Sequence, residues 1–263
     1  QAGRGLIEVS DNGAGIPQDQ LKVAILRHAT SKLRIAEDLF HITTLGFRGE
    51  ALASIGSVSR MKIISHHPGE TAGGRIIVEG GMVRELEFVG APVGTVVSVE
   101  DLFYNVPARL KFLKRDVTER QQIDFLITRY ALAYSNVRFK YLHDGETGLQ
   151  TSGNSDRRET LAAIYGVDIA KQMLELTFMD QDFQLDGFTS QIGLTRSNRK
   201  EITFFVNGRW VQDISLTAAL LKGYQTLLMV GRYPMAVLFI QMDPTNVDVN
   251  VHPAKSEVRF RQP

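Results

Sequence analysis

Along the first half of the chain, apolar and polar residues alternate in short runs, the pattern of strands whose successive side chains face opposite sides. Leu6 to Val9, Val58 to Ser65, Gly73 to Val78, Met82 to Phe88 and Gly94 to Val99 are such runs. Gly80-Gly81 predicts a two-residue hairpin between the third and fourth. The period changes from Pro17 to His28. There Leu21, Ala24, Ile25 and His28 recur at helical spacing behind a proline suited to a first turn, so a short helix packed on the sheet is expected. Asp116 and Glu119 read as a helix cap with its reciprocal partner, and Ile123, Leu126, Ile127, Tyr130 and Tyr134 then mark the buried face of a long helix. No strand is followed at once by a helix and a further strand. That argues against a doubly wound parallel sheet and for an α+β sandwich.

Val137, Phe139 and Tyr141 alternate, Asp144-Gly145 turns the chain and Thr147 to Gln150 returns it. The window Thr151-Ser152-Gly153-Asn154-Ser155-Asp156 is the most polar and turn-rich, and a domain boundary is expected there, dividing 1–153 from 154–263. Beyond it the pattern predicts a helix from Arg157 to Tyr165 stopped by Gly166, then strands near Leu174 to Phe178, Phe183 to Gly193 and Ile202 to Val206. Asn207-Gly208 predicts a tight hairpin, Ser215 to Tyr224 a helix, and Ala236 to Met242 and Val247 to Val251 two last strands. The result would be a compact sheet with helices on one side.

At 263 residues, 43% hydrophobic and 22% charged, the chain has the composition of a globular protein long enough for two cores. Its net charge of +1 is evenly spread, so affinity for nucleic acid would have to come from a local patch. The absence of cysteine excludes a disulfide scaffold, a thiolate metal site and a cysteine nucleophile. No apolar run reaches the length of a membrane span and no signal peptide opens the chain, so no membrane partner and a cytoplasmic, nucleoid-associated location are expected. The chain opens on Gln1 and enters a strand almost at once, which reads as a fragment whose natural start lies upstream.

Candidate chemistry concentrates where patterns change. Asp11-Asn12-Gly13-Ala14-Gly15 ends the first strand, and its glycines let the backbone pass close to a ligand beside one carboxylate, although Asp-Asn before Gly is also ordinary turn chemistry. His28-Ala29-Thr30-Ser31-Lys32 is a small, hydroxylated loop. Thr44-Leu45-Gly46-Phe47-Arg48-Gly49-Glu50-Ala51-Leu52 leads through glycines into helix formers, an arrangement that offers free N–H groups to an anion, with phosphate the natural candidate. It is not a Walker loop. In Asp248-Val249-Asn250-Val251-His252-Pro253-Ala254-Lys255, alternation puts Asp248, Asn250 and His252 on one face, and Pro253 ends the strand so that Lys255 projects from a loop. Arg196, Arg199, Lys200 and Arg209 form a basic stretch against one nearby acid, Glu201.

DNGAG, HATSK and LGFRGEAL, in that order, with DVNVHPAK near the far end, closely resemble the ATP-binding region of the MutL mismatch-repair family, within the wider GHKL group of ATPases. Asp101 to Arg109, DLFYNVPAR, resembles a further signature of that family. The resemblance implies a GHKL sandwich followed by a ribosomal-S5-like domain. It implies ATP and Mg²⁺ as cofactors, with Asp11 bonding the adenine amino group, Asn12 beside it in the ATP site, Gly13 and Gly15 making room for the base, and Thr30, Ser31, Lys32, Gly46, Phe47, Arg48, Gly49, Glu50, Ala51 and Leu52 forming a lid over the phosphates. Thr95 would lie close to the nucleotide, and Lys255 would reach the γ-phosphate. Similar family regions place Arg196, Arg199, Lys200 and Arg209 along a groove for DNA, read without regard to sequence. The implied partners are a MutS-type mismatch sensor, an endonuclease and a helicase, with a homodimer as the complete protein. In GHKL ATPases the general base is a glutamate and the Mg²⁺ ligand an asparagine, on a helix before the DNG strand. No residue here matches them, so no catalytic residue is assigned, and slow ATPase activity is expected of the complete protein rather than of these 263 residues. A non-hydrolysing nucleotide-dependent clamp, or a topoisomerase or chaperone ATPase, are the alternatives; GFRGEAL with DVNVHPAK argues against the last two.

Overall fold

The computed structural model of the chain describes residues 2–30, 49–248 and 259–260. They form two compact units, one up to Ile123 and one from Asp124. This division falls inside the long helix, upstream of the polar window at 151–156.

The first unit contains β1 (Leu6–Asp11), α1 (Leu21–Ala24), α2 (Ala51–Gly56), β2 (Arg60–His66), β3 (Gly73–Glu79), β4 (Met82–Val89), β5 (Gly94–Glu100), α3 (Pro107–Phe112) and the start of α4 (Asp116–Ala133). Its strands make one antiparallel sheet in the order β1-β5-β2-β3-β4. Alternation decides the core: Met61 and Ile63 of β2, Ile76 and Val78 of β3 and Val99 of β5 point to one face and are buried with Leu21. Each large aliphatic buried there is worth about 1.5–3 kcal/mol. Gly80 and Gly81, both at positive φ, close the β3–β4 hairpin as expected. The helix expected from Pro17 to His28 is shorter: one 3₁₀ turn at Gln18–Gln20 and one α turn at Leu21–Ala24. Leu21 alone is fully buried, over Gly74, where a Cβ would lie 2.4 Å from its Cδ1. His28, at φ +64°, cannot continue the helix. The cap of α4 is also displaced. Glu119 accepts from Lys114 N–H at 2.8 Å rather than from Asp116, while Arg4 donates to Lys114 O at 2.6 Å and pairs with Asp116 at 3.3 Å.

The second unit holds the rest of α4, β6 (Lys140–His143), β7 (Glu146–Gln150), α5 (Arg157–Tyr165), α6 (Val167–Lys171), β8 (Met173–Met179), β9 (Phe183–Ser190), β10 (Thr195–Arg196), β11 (Ile202–Val206), β12 (Arg209–Val211), α7 (Ile214–Gly223), β13 (Tyr233–Pro234), β14 (Ala236–Met242), β15 (Val247–Asp248) and β16 (Arg259–Phe260). Five strands form a sheet in the order β12-β11-β14-β9-β8, with β11 and β14 parallel and the other pairs antiparallel. Helices cover both faces, not one. Leu132, Leu161 and Ala170 of α4, α5 and α6 pack with Phe205 and Phe239, whereas Leu216 and Leu220 of α7 pack with Phe204, Val206 and Leu238 on the opposite side. The reason is legible in ITFFV and AVLFI, apolar at nearly every position, which a sheet half-exposed to water could not carry. Asp156 caps α5 through Arg158 and Glu159 N–H, and Asp213 caps α7 through Leu216 N–H.

Candidate functional site

β1 pairs with β5 so that Asp11 stands directly opposite Thr95. The two candidate residues, far apart in sequence, therefore meet at one end of the sheet. The fit there is made by backbone. Gly94 lies against Asp11, where a Cβ would come within 2.1 Å of Asp11 O, and Gly15, at φ +68°, lies against His66, where a Cβ would be 2.1 Å from His66 O. A side chain at either position would collide with main chain. Asp11 Oδ1 accepts from Gly13 N–H at 2.8 Å, an Asx turn that fixes the carboxylate, and Asp11, Asn12 and Gly13 are exposed. Beneath them Ser65, fully buried, is a hub that sequence reasoning missed. Its Oγ accepts from Ile16 N–H at 2.7 Å, donates to Gly94 O at 3.1 Å and bonds Thr95 Oγ1 at 2.9 Å. The available signal was a serine at the third inward position after Met61 and Ile63. The arrangement presents one fixed carboxylate and a hydroxyl beside a strip of bare backbone.

The flanks of the expected lid also converge. Gly49, at φ +61°, lies against Ala29, where a Cβ would be 2.1 Å from Ala29 O, and His28 Nδ1 is 3.3 Å from Glu50 Oε1. Of the expected lid residues, Thr30, Gly49, Glu50, Ala51 and Leu52 are described. α2 begins at Ala51 with no side-chain cap on Glu50, and Leu52 packs on the first core. Ser31, Lys32, Gly46, Phe47, Arg48 and Lys255 lie outside the described residues. Asp101 to Arg109 is a brace: Asp101 and Phe103 take positive φ, Asn105 Nδ2 donates to Ser57 O at 3.0 Å, and Arg60 pairs with Asp101 at 3.2 Å and sits over Tyr104.

In the second unit the short β10–β13 ladder sets Arg196 opposite Tyr233. Arg199 stacks on the Tyr233 ring at 5.1 Å, Lys200 O accepts from Arg129 at 2.9 Å, and Arg232 Nε donates to Thr195 Oγ1 at 2.9 Å. Arg199, Lys200 and Arg232 are exposed and Arg196 half-buried. Arg232 joins this group only through strand pairing, which no local motif announces. Arg209 does not belong to the exposed set. It is 5% exposed, Tyr130 and Tyr134 act on it electrostatically, and burial pulls its guanidinium below its ordinary pKa while pushing the Tyr134 phenol up. Arg209 shares the inward parity of Val211 on β12, and that decides its fate.

Among the described residues no three His, Asp or Glu side chains cluster to hold a metal ion. No described helix is long and apolar enough to cross a membrane. Residues 161–263 match the family described as DNA mismatch repair protein, C-terminal domain. The DNA mismatch repair protein MutL of Lactococcus lactis subsp. cremoris is 48% identical over 260 residues, spanning 99% of this chain and 40% of that relative, so the chain spans less than half the length of such relatives. A solved structure of the Aquifex aeolicus MutL ATPase domain complexed with ADP is 30% identical, with a TM-score of 0.69, covering 91% of this chain and 81% of that one. The crystal structure of the N-terminal domain of a DNA repair protein superposes with a TM-score of 0.81 at 25% identity, covering 98% and 80%. With sequence agreement along nearly its whole length and the α+β architecture of a MutL ATPase domain, the chain belongs to the MutL family of DNA mismatch repair proteins.

Proposed function

We propose that these residues are the nucleotide-binding and DNA-contacting region of a MutL-type mismatch repair protein, in which ATP binding sets the conformation that links mismatch recognition to strand incision and unwinding. The observation that carries the nucleotide reading is the meeting of Asp11 and Thr95 above the Ser65 hub, with Gly15 and Gly94 leaving bare backbone beside them. Asp11 Oδ1 is held by Gly13, and Asp11 Oδ2 accepts no hydrogen bond among the described residues, so an exposed acceptor remains for an exocyclic amine such as that of adenine. A base bound against this acceptor would cover it, and one without such an amine would leave it unpaired. Mg²⁺ would enter with the triphosphate, mostly held by its phosphate oxygens, and would neutralise their charge. Lys32 and Arg48, in the stretch that follows Thr30, would supply cations to the phosphates.

No position in these 263 residues matches the family's general base or its asparagine metal ligand. Binding without appreciable turnover is therefore expected of the chain. The test is calorimetric titration with ADP and with a non-hydrolysable ATP analogue, beside Asp11→Asn, and single-turnover hydrolysis by the same preparation. Equal affinity for native and Asp11→Asn protein would overturn the assignment of the corner. Hydrolysis at the rate of a complete MutL would overturn the expectation about turnover.

A second reading concerns DNA, and it rests on Arg196, Arg199, Lys200 and Arg232 gathered around the β10–β13 ladder. Exposed guanidinium and ammonium groups that offer no base-reading element suit the phosphate backbone of any sequence. A mismatch sensor, an endonuclease and a helicase are the partners such a switch would engage, with a second copy of the complete protein.

A further inference from the structure

We propose that His66 is a positioning residue for the nucleotide corner and works as an imidazolium latch, so that raising the pH loosens the corner. This rests on the reading of Asp11 to Gly15 as the nucleotide site. Both ring nitrogens of His66 face backbone carbonyls: Nδ1 is 2.6 Å from Ala91 O and Nε2 is 3.0 Å from Glu70 O. A carbonyl oxygen only accepts, so satisfying both requires an N–H on each nitrogen, and only the protonated ring has two. The neutral ring, in either tautomer, sets a lone pair against one carbonyl.

The two carbonyls belong to separate loops, one following β2 and one preceding β5. The first loop holds the chain just beyond the corner: Gln18 N–H donates to Glu70 Oε1 at 3.0 Å, and Gln18 Nε2 donates to Ala72 O at 2.5 Å. The second leads into Gly94, on which Asp11 rests. The backbone of His66 itself carries Gly15, and its neighbour Ser65 holds Ile16 and Thr95. One cation thus ties together the supports of the whole turn.

The charged group acting on the ring is Glu70, which favours the proton. Among the described residues its buried Oε2 has no hydrogen-bond partner, so one carboxylate oxygen of this loop is left to electrostatics alone. His67, next in sequence, uses Nδ1 to accept from Gly69 N–H at 3.2 Å. Gly15, Gly73 and Ala91, which also lie against His66, carry no charge. The two carbonyl bonds and Glu70 together hold the ring's pKa above the ordinary imidazole value, against a smaller opposing effect of burial. The sign follows. A raised folded-state pKa means the latch is closed below the ordinary value of about 6.5 and opens as pH climbs through the raised value.

The experiment uses the 263-residue chain, with ADP as the probe. Long-range ¹H–¹⁵N spectra of the His66 ring, titrated from about pH 6 to about pH 9, should show both nitrogens protonated beyond the ordinary imidazole midpoint. Over that range ADP affinity of the native chain should fall roughly tenfold, the scale of one hydrogen bond to a charged donor. His66→Arg, which donates at every pH, should hold its affinity flat, and His66→Gln should be weak throughout. A ring already neutral at the acid end, or native and His66→Arg profiles that coincide, would overturn the latch. Failure of both proteins to bind ADP at any pH, with the ring doubly protonated, would instead overturn the nucleotide reading on which the coupling rests.

Discussion

The corner of the first unit and the basic ladder of the second are built on opposite principles. At the corner the surface proposed to take a nucleotide is main chain: glycines at positive φ lie against carbonyls, and one carboxylate is pinned by an Asx turn. On the ladder the surface is side chain, with Arg199 stacked on Tyr233 and Arg232 steadied by Thr195. A site made of backbone is rigid and intolerant, because each element is used once. A site made of long cations is redundant, and each member contributes a little.

The largest effect is expected where that intolerance is greatest. Gly15→Val forces a β-branched residue into left-handed backbone and drives its Cβ into His66 O; strain of roughly 3 kcal/mol plus the collision should abolish ADP binding and lower the melting temperature, read by calorimetry and thermal denaturation. Asp11→Ala comes next. It removes an exposed side chain, so melting should barely change while ADP affinity falls by about 2–3 kcal/mol, some 30- to 150-fold.

Arg209→Ala then separates the two meanings of a basic residue in the second unit. Arg209 is buried and packs by its stem as well as its charge, so its loss should destabilise the fold by about 1–3 kcal/mol in chemical denaturation and leave the salt dependence of DNA binding unchanged. Smallest of all should be Arg199→Ala or Arg232→Ala. Each should leave stability intact and flatten the slope of log DNA affinity against log salt by about 0.9, measured by fluorescence anisotropy, with ADP binding untouched. If Arg209→Ala changes the slope and Arg232→Ala does not, the assignment of the exposed set is wrong.

What could be read from the sequence follows the same divide. The corner was legible because its parts are contiguous: a strand that gives out, an Asp, and glycines two apart. The strand runs and both tight hairpins were legible for the same reason, since period two and paired turn residues are local. Ser65 and His66 were not, because their roles exist only once β2 is registered against β5 and the loops on either side have closed. Arg232 was hidden behind the β10–β13 pairing. Arg209 was misread by proximity to other cations, although its parity with Val211 pointed inward. The helix after Pro17 was overextended because apolar spacing alone does not reveal that only Leu21 is fully buried and that His28 takes a left-handed backbone. The second sheet's two covered faces were written in its unbroken apolar strands, yet the order of elements was read as helices on one side only.

β1 lies at the rim of its sheet, zipped to β5 by the register that runs from Leu6 opposite Glu100 to Asp11 opposite Thr95. Just before it, Arg4 grips Lys114 O and Asp116 at the head of α4. The strand therefore works as a tie rod. Under the nucleotide reading, a base held at Asp11 would bear on one end of a strand whose other end is braced against the first turn of the long helix.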